Sequence, residues 1–314
     1  MKLQITVEAA ILVFFLIAAM IIIFVIDKAV PTSMEGSGSP EEYVQRGNAL
    51  YSAGKSKFSE AAVQYWEATK RNPHIAEAHL KLAAIYYEPE RLWNLEALNE
   101  LAEVERIDPN NPELYLIAGK VYNRMGDSDK ALEAFRRTIV LQPENSQAHY
   151  YLGTVYEQQD MKEEAIGEYE KAIKSGSDDE TVLRAHLQLG RIYRNRESER
   201  AEREFRMALG INPASAEVIS ELRILYGKEA EDYRNQDDYD NVIAKYREIL
   251  KIDPDNPRNV SIYMEMGDIY RNTEFYDEAA VMYEAAARID PLNIDVSNAL
   301  REIMLLRETS SEIE

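Results

Sequence analysis

Four histidines, 56 acidic residues and no cysteine are the raw material for chemistry in this 314-residue chain. His79, His149 and His186 are the obvious metal-ligand candidates, since imidazole and carboxylate groups bind divalent ions when three or four of them converge. The lack of cysteine excludes thiol catalysis, thiolate zinc sites, disulfides and a lipid anchor on cysteine. Ala53-Gly54-Lys55-Ser56 resembles the end of a phosphate-binding loop. That motif needs a glycine five residues before Gly54, where Ala49 stands. Asp253-Pro254-Asp255-Asn256-Pro257 offers oxygen ligands but lacks the glycine and distal glutamate of a calcium loop. No nucleophile–base pair emerges from the pattern. The chain therefore reads as a non-enzyme with no metal and no cofactor.

The elements that must position these residues repeat. From Asn111 to Asp179 two copies of one 34-residue unit follow without a gap: Gly119 returns as Gly153, Tyr122 as Tyr156, Ala131 as Ala165 and Phe135 as Tyr169. Tyr115, Ala118, Gly119 and Tyr122 fall at i, i+3, i+4 and i+7, one face of a helix. Ala131, Phe135, Thr138 and Ile139 mark a second helix, Gly126-Asp127 is the turn between them, and Pro143 ends the unit. Gly119 and Ala131 are small, which allows the two helices close approach. Two short amphipathic helices cannot bury both faces alone, but a stack of them can.

This pattern resembles the tetratricopeptide repeat, whose landmarks are an aromatic, Leu-Gly, Tyr, Ala, an aromatic and Pro at that period. Further copies carry Gly47 and Tyr65, Ala83 and Ala97, Gly190 and Phe205, and Gly267 and Tyr283, so the resemblance covers about residues 40–307. One copy is irregular: Pro213 to Pro254 is seven residues over the period, which predicts a first helix two turns longer, from about Glu217 to Asn235. The implied fold is all-α, a right-handed α-solenoid of about seven helix pairs over residues 41–307. Asn293–Arg307 reads as a capping helix and 308–314 as an acidic tail. His79, His149 and His186 all occupy the position that the family fills with an aromatic, as Tyr115 does, so they read as flat rings packed between helices. His79 and His149, two repeats apart, could not share an ion.

Ala9–Ile26 is an 18-residue run without a charge, and at about 1.5 Å per residue it spans roughly 27 Å, near the lower limit for a membrane helix. Residues 1–28 are expected to be an uncleaved transmembrane signal anchor; a cleaved signal or a buried core helix are the alternatives. Asp27-Lys28-Ala29-Val30-Pro31 is a poor cleavage site. Residues 29–40, rich in Gly, Ser and Pro, form a flexible linker. The amino terminus tips the positive-inside count, so the expectation is a single-pass protein of the inner (cytoplasmic) membrane with periplasmic or otherwise extracytoplasmic repeats.

The formal charge is −20, and setting aside Lys2, Glu8, Asp27, Lys28 and Glu35 leaves −19 on the remainder. Such a domain repels phosphate backbones, so nucleic acid is not an expected partner. The tetratricopeptide resemblance implies that the first helix of each repeat lines a peptide-binding groove. Its apolar floor would be Leu80, Leu116, Tyr150 and Leu187, with Val44 and Met264 at the same repeat position and Tyr51 and Tyr87 at the N-terminal end. Lys120, Arg124, Arg184, Arg191, Arg194 and Arg271 would concentrate bases there, beside Asn123 and Glu157. The expected partner is an amphipathic, acidic protein segment. The alternative is that the stripe is partly inter-helix packing and the bases pair with neighbouring glutamates. Asn48 fits the clamp by which related repeats hold chaperone C-termini, but Val44, Glu113 and Ile117 depart from it.

The function expected is a membrane-anchored scaffold or adaptor supporting assembly of a cell-envelope complex. The rivals are a self-assembling structural protein, which allows a homo-oligomer, and a cytoplasm-facing regulator.

Overall fold

A computed structural model of the chain describes residues 38–88, 93–176 and 178–311. The expected span over residues 9–26 and the linker through residue 37 lie outside the described residues, as do 312–314 of the tail. Among the described residues, no helix is long and apolar enough to cross a membrane.

Fifteen α-helices occupy the described residues, and no strand is found among them. They run α1 (Pro40–Ser52) and α2 (Phe58–Arg71), α3 (Ala76–Tyr87) and α4 (Asn94–Ile107), α5 (Pro112–Met125) and α6 (Ser128–Leu141), α7 (Ser146–Gln158) and α8 (Lys162–Ser175). Then come α9 (Asp179–Tyr193) and α10 (Ser198–Ile211), α11 (Ala216–Arg234) and α12 (Tyr239–Ile252), α13 (Asn259–Asn272) and α14 (Tyr276–Ile289), and a last helix α15 (Ile294–Ser311). Local sequence explains the boundaries. Asn111 caps α5 by accepting from Glu113 N, with Pro112 in the first turn where no N–H is needed. Gly126, at φ 79°, ends α5 in the left-handed region, and Asp127 then caps α6 by accepting from Lys130 N. Ala53-Gly54 is likewise a turn, followed by a 3-10 turn at Lys55–Lys57.

The contacts divide the chain into two units, Met1–Glu168 and Tyr169–Glu314, with the boundary inside α8. In unit 1, α1 packs on α2, α3 on α4 and α5 on α6, and the first helices α3, α5 and α7 also touch in succession. Its core is a chain of overlapping clusters, such as Tyr43, Phe58, Tyr65, Leu82 and Ile85, then Leu101, Val104, Leu114 and Val121, then Phe135, Leu152 and Val155. In unit 2 the pairs α9–α10, α11–α12 and α13–α14 repeat the arrangement, and α15 packs on α14.

The small residue of the first helix receives a ring from the second. A Cβ on Gly119 would stand 2.5 Å from Cε1 of Phe135, and one on Gly47 would stand 2.6 Å from Cε1 of Tyr65. Gly190 meets Phe205 and Gly267 meets Tyr283 in the same way. Two of the rings are tyrosines whose hydroxyls donate to the residue after the glycine, Tyr65 to Asn48 Oδ1 and Tyr283 to Asp268 Oδ1, each at 2.7 Å. The lengthened repeat is as its spacing predicts, since α11 has 19 residues.

Candidate partner-binding face

In unit 1 the first helices present a common face. The expected apolar floor lies below its surface: Leu80, Leu116 and Tyr150 are 5%, 8% and 8% exposed and fill the joints between neighbouring helices. Consecutive first helices approach closely enough to close over that repeat position. What remains on top is a tier of half-buried tyrosines, each met by a base from another helix. Lys81 Nζ lies 5.5 Å from the Tyr51 ring, the Arg124 guanidinium 3.7 Å from Tyr87, and Lys120 Nζ 4.8 Å from Tyr151. A cation over an aromatic face is held there by the ring quadrupole. Burial, Glu88 and Glu113 push the Tyr51 hydroxyl pKa up despite Lys55, so it stays a neutral donor. Asn123 Oδ1 and Arg124 Nη1 are buried atoms with no hydrogen-bond partner among the described residues. Glu157 is half-buried near the end of α7.

In unit 2 the expected steering bases already hold acids. Arg191 donates through Nε to Glu221 Oε1 and through Nη2 to Glu217 Oε1, both at 2.8 Å, and Arg194 donates to the other oxygen of Glu221. Glu221 is buried, and these bonds tie α9 to α11. Arg184 pairs with Glu180 of its own helix at 2.7 Å, and Leu187 is 3% exposed. Arg271 bonds Glu302 of α15 at 3.2 Å. Arg191, Arg194 and Arg271 are therefore joints between repeats. Reversing the charge of the first two would set carboxylates against Glu217 and Glu221, a stability defect before any effect on binding.

The same clamp occurs in unit 1, where Asn48 donates to Glu77, Lys81 pairs with Glu113, and Lys120 donates to Gln147. The signal available in sequence was a base or amide on one first helix, followed 26 to 32 residues later by an acid or amide near the start of the next.

No group of three or more His, Asp or Glu that could hold a metal is found among the described residues. His79, His149 and His186 are buried and pair instead with Glu100, Glu168 and Glu204. A separate groove of about 670 Å³ lies on the other side of α5, between α4 and α6, lined by Leu98, Tyr115, Tyr122 and the exposed Val140 among others.

Tetratricopeptide repeat family models match residues 116–180 and 260–291, so the chain contains tetratricopeptide repeats. It is 35% identical over 111 residues to Hsp70-Hsp90 organizing protein 1 of Glycine max, covering 34% of this chain and 18% of that protein. It is 25% identical over 186 residues to the BBSome complex member BBS4 homolog of Drosophila melanogaster, covering 55% of this chain and 37% of that protein. The chain spans less than two-fifths of the length of the curated relatives it matches. Among solved structures, pilF of Pseudomonas aeruginosa is similar in fold at TM-score 0.53 and 18% identity, over 68% of this chain and 92% of that one.

Proposed function

We propose that this all-helical tetratricopeptide scaffold is held at a membrane by residues 9–26 and binds a segment of a partner protein on the first-helix face, in support of a cell-envelope assembly. The observation that carries the reading is the tyrosine–base tier of unit 1. Tyr51 and Tyr87, each four residues after the small landmark of its helix, and Tyr151, stacked on Phe135, are half-buried rings met by Lys81, Arg124 and Lys120 respectively. Rings of this kind give contact area at low entropic cost. Lys81 and Lys120 are engaged by Glu113 and Gln147 of the next first helix, and Arg124, whose Nη1 has no hydrogen-bond partner among the described residues, is the base that would orient an acidic segment. Leu80, Leu116 and Tyr150 support the rings from beneath. The organizing protein of Glycine max is named for Hsp70 and Hsp90, but the departures at Val44, Glu113 and Ile117 argue against the same ligand here.

A photo-crosslinking residue placed at Tyr87 of the full chain in intact membranes should yield a discrete protein adduct. The same residue at Val140, on the other side of the unit, should not. Equal labelling at both positions, or none at Tyr87, rejects this face. The proposed topology places the repeats on the trans side, so protease added to spheroplasts should digest them; full protection would reverse the orientation.

A further inference from the structure

Four residues before the glycine landmark of the first helix (Ala83 in the second repeat) every regular repeat carries a ring: Tyr43, His79, Tyr115, His149, His186 and Tyr263. In one mode the ring ties its helix to the turn that precedes it. The Tyr115 hydroxyl donates to the Pro109 carbonyl, six residues back, at 2.9 Å. His79 and His149 reach the carbonyls of Pro73 and Pro143, also six residues back, through Nε2 at 3.2 and 3.0 Å. The histidines add a bond that tyrosine does not make. Nδ1 lies 2.6 Å from Glu100 Oε2 in the first case and 2.6 Å from Glu168 Oε2 in the second. In unit 2, His186 Nδ1 lies 2.7 Å from Glu204 Oε2.

The pairing recurs through the chain. Glu100, Glu168 and Glu204 each stand three residues after the landmark alanine of the second helix, Ala97, Ala165 and Ala201. Where the ring is Tyr43, Tyr115 or Tyr263, that place holds Gln64, Ala134 or Met282. In the six regular repeats the acid accompanies histidine, and a neutral residue accompanies tyrosine. A carbonyl and a carboxylate are both acceptors. A ring bridging them needs a proton on each nitrogen, which only the imidazolium has. A neutral ring satisfies one acceptor and turns a lone pair toward the other.

We infer that the repeats of His79 and His149 are proton-operated joints: in each the imidazolium fastens first helix, second helix and inter-repeat turn together, and its deprotonation loosens them.

The charged groups acting on His79 are Glu100 and Glu103, both on α4, and the Pro73 carbonyl faces it from the turn. Burial opposes the charge, but the bond to Glu100, that carboxylate's charge, Pro73 and Glu103 outweigh it and raise the pKa of the ring. A folded-state pKa above the unfolded one stabilises fully below the unfolded value of about 6.5. That contribution is lost as pH rises through the folded value.

The test uses the full chain in detergent. Its urea midpoint should fall as pH is raised from 6 to 8.5. Amide exchange in α3 and α7, corrected for the intrinsic rate, should rise several-fold over the same range. Changing both joints to the tyrosine type (His79→Tyr with Glu100→Ala, His149→Tyr with Glu168→Ala) should flatten both profiles. His74 and His186 remain in that variant and so cancel from the comparison. The opposite exchange, Tyr115→His with Ala134→Glu, should steepen the pH dependence. Nitrogen shifts of His79 and His149 in the wild type should report doubly protonated rings at pH 6. Neutral rings at that pH overturn the inference even if the exchanged variants fail to fold, and so do parallel pH profiles for wild type and variants.

Discussion

Gly119→Ala is a sharp test of the packing because the same substitution elsewhere should have the opposite sign. A methyl at Gly119 would stand 2.5, 2.6 and 2.9 Å from Cε1, Cδ1 and Cζ of Phe135. Carbon atoms in contact lie about 3.5–4.0 Å apart, so the ring has to retreat by roughly 1 Å. Phe135 is fully buried, so the ring can retreat only against its packed neighbours. Overpacking of this kind costs about 3 kcal/mol at the upper end of its range. The gain from replacing glycine by alanine within a helix is about 1 kcal/mol. The net expectation is a loss of about 2 kcal/mol in urea unfolding. Gly210 also lies inside a helix, but a Cβ there meets nothing within 4 Å, so Gly210→Ala should stabilise by up to about 1 kcal/mol. Phe135→Leu should recover much of the loss in the Gly119→Ala background, because the second repeat pairs Ala83 with Leu101 in one core cluster. Equal effects of Gly119→Ala and Gly210→Ala would refute the close ring–glycine contact.

Glu221→Gln removes the carboxylate shared by Arg191 and Arg194 and should destabilise by about 2 kcal/mol, less than a fully buried pair because both arginines are partly exposed. Arg184→Ala, which breaks a half-exposed pair with Glu180 within α9, should cost less than Glu221→Gln in the same urea series. Tyr65→Phe loses the bond to Asn48 and should cost about 1 kcal/mol by thermal or urea unfolding. Residues 40–314 expressed alone should be helical by circular dichroism, since the apolar positions of the repeats are met by stacking; an unfolded spectrum would show that the segment before them is needed.

The sequence by itself determined the repeat. Period, turn chemistry and small–aromatic pairing are local properties, legible in Gly119, Ala131 and Phe135 because a helix pair of 34 residues contains all of them. The lengthening of α11 was legible for the same reason, as a surplus between Pro213 and Pro254, although part of that surplus went to the connections and not to the helix. The companions of the bases were not. Arg191 lies 26 and 30 residues from Glu217 and Glu221, and only the abutment of α9 against α11 decides that these carboxylates, among 56 acids, lie opposite it. Tertiary contact also decided the fate of the apolar stripe. Periodicity put Leu80, Leu116 and Tyr150 on one helix face, but whether that face meets solvent or the next helix depends on how closely the first helices pack. The histidines show both limits at once. Their repeat position marked them as packed rings, while the carboxylate and proline carbonyl that bracket two of them come from other elements, and only folding brings those oxygens within hydrogen-bond range.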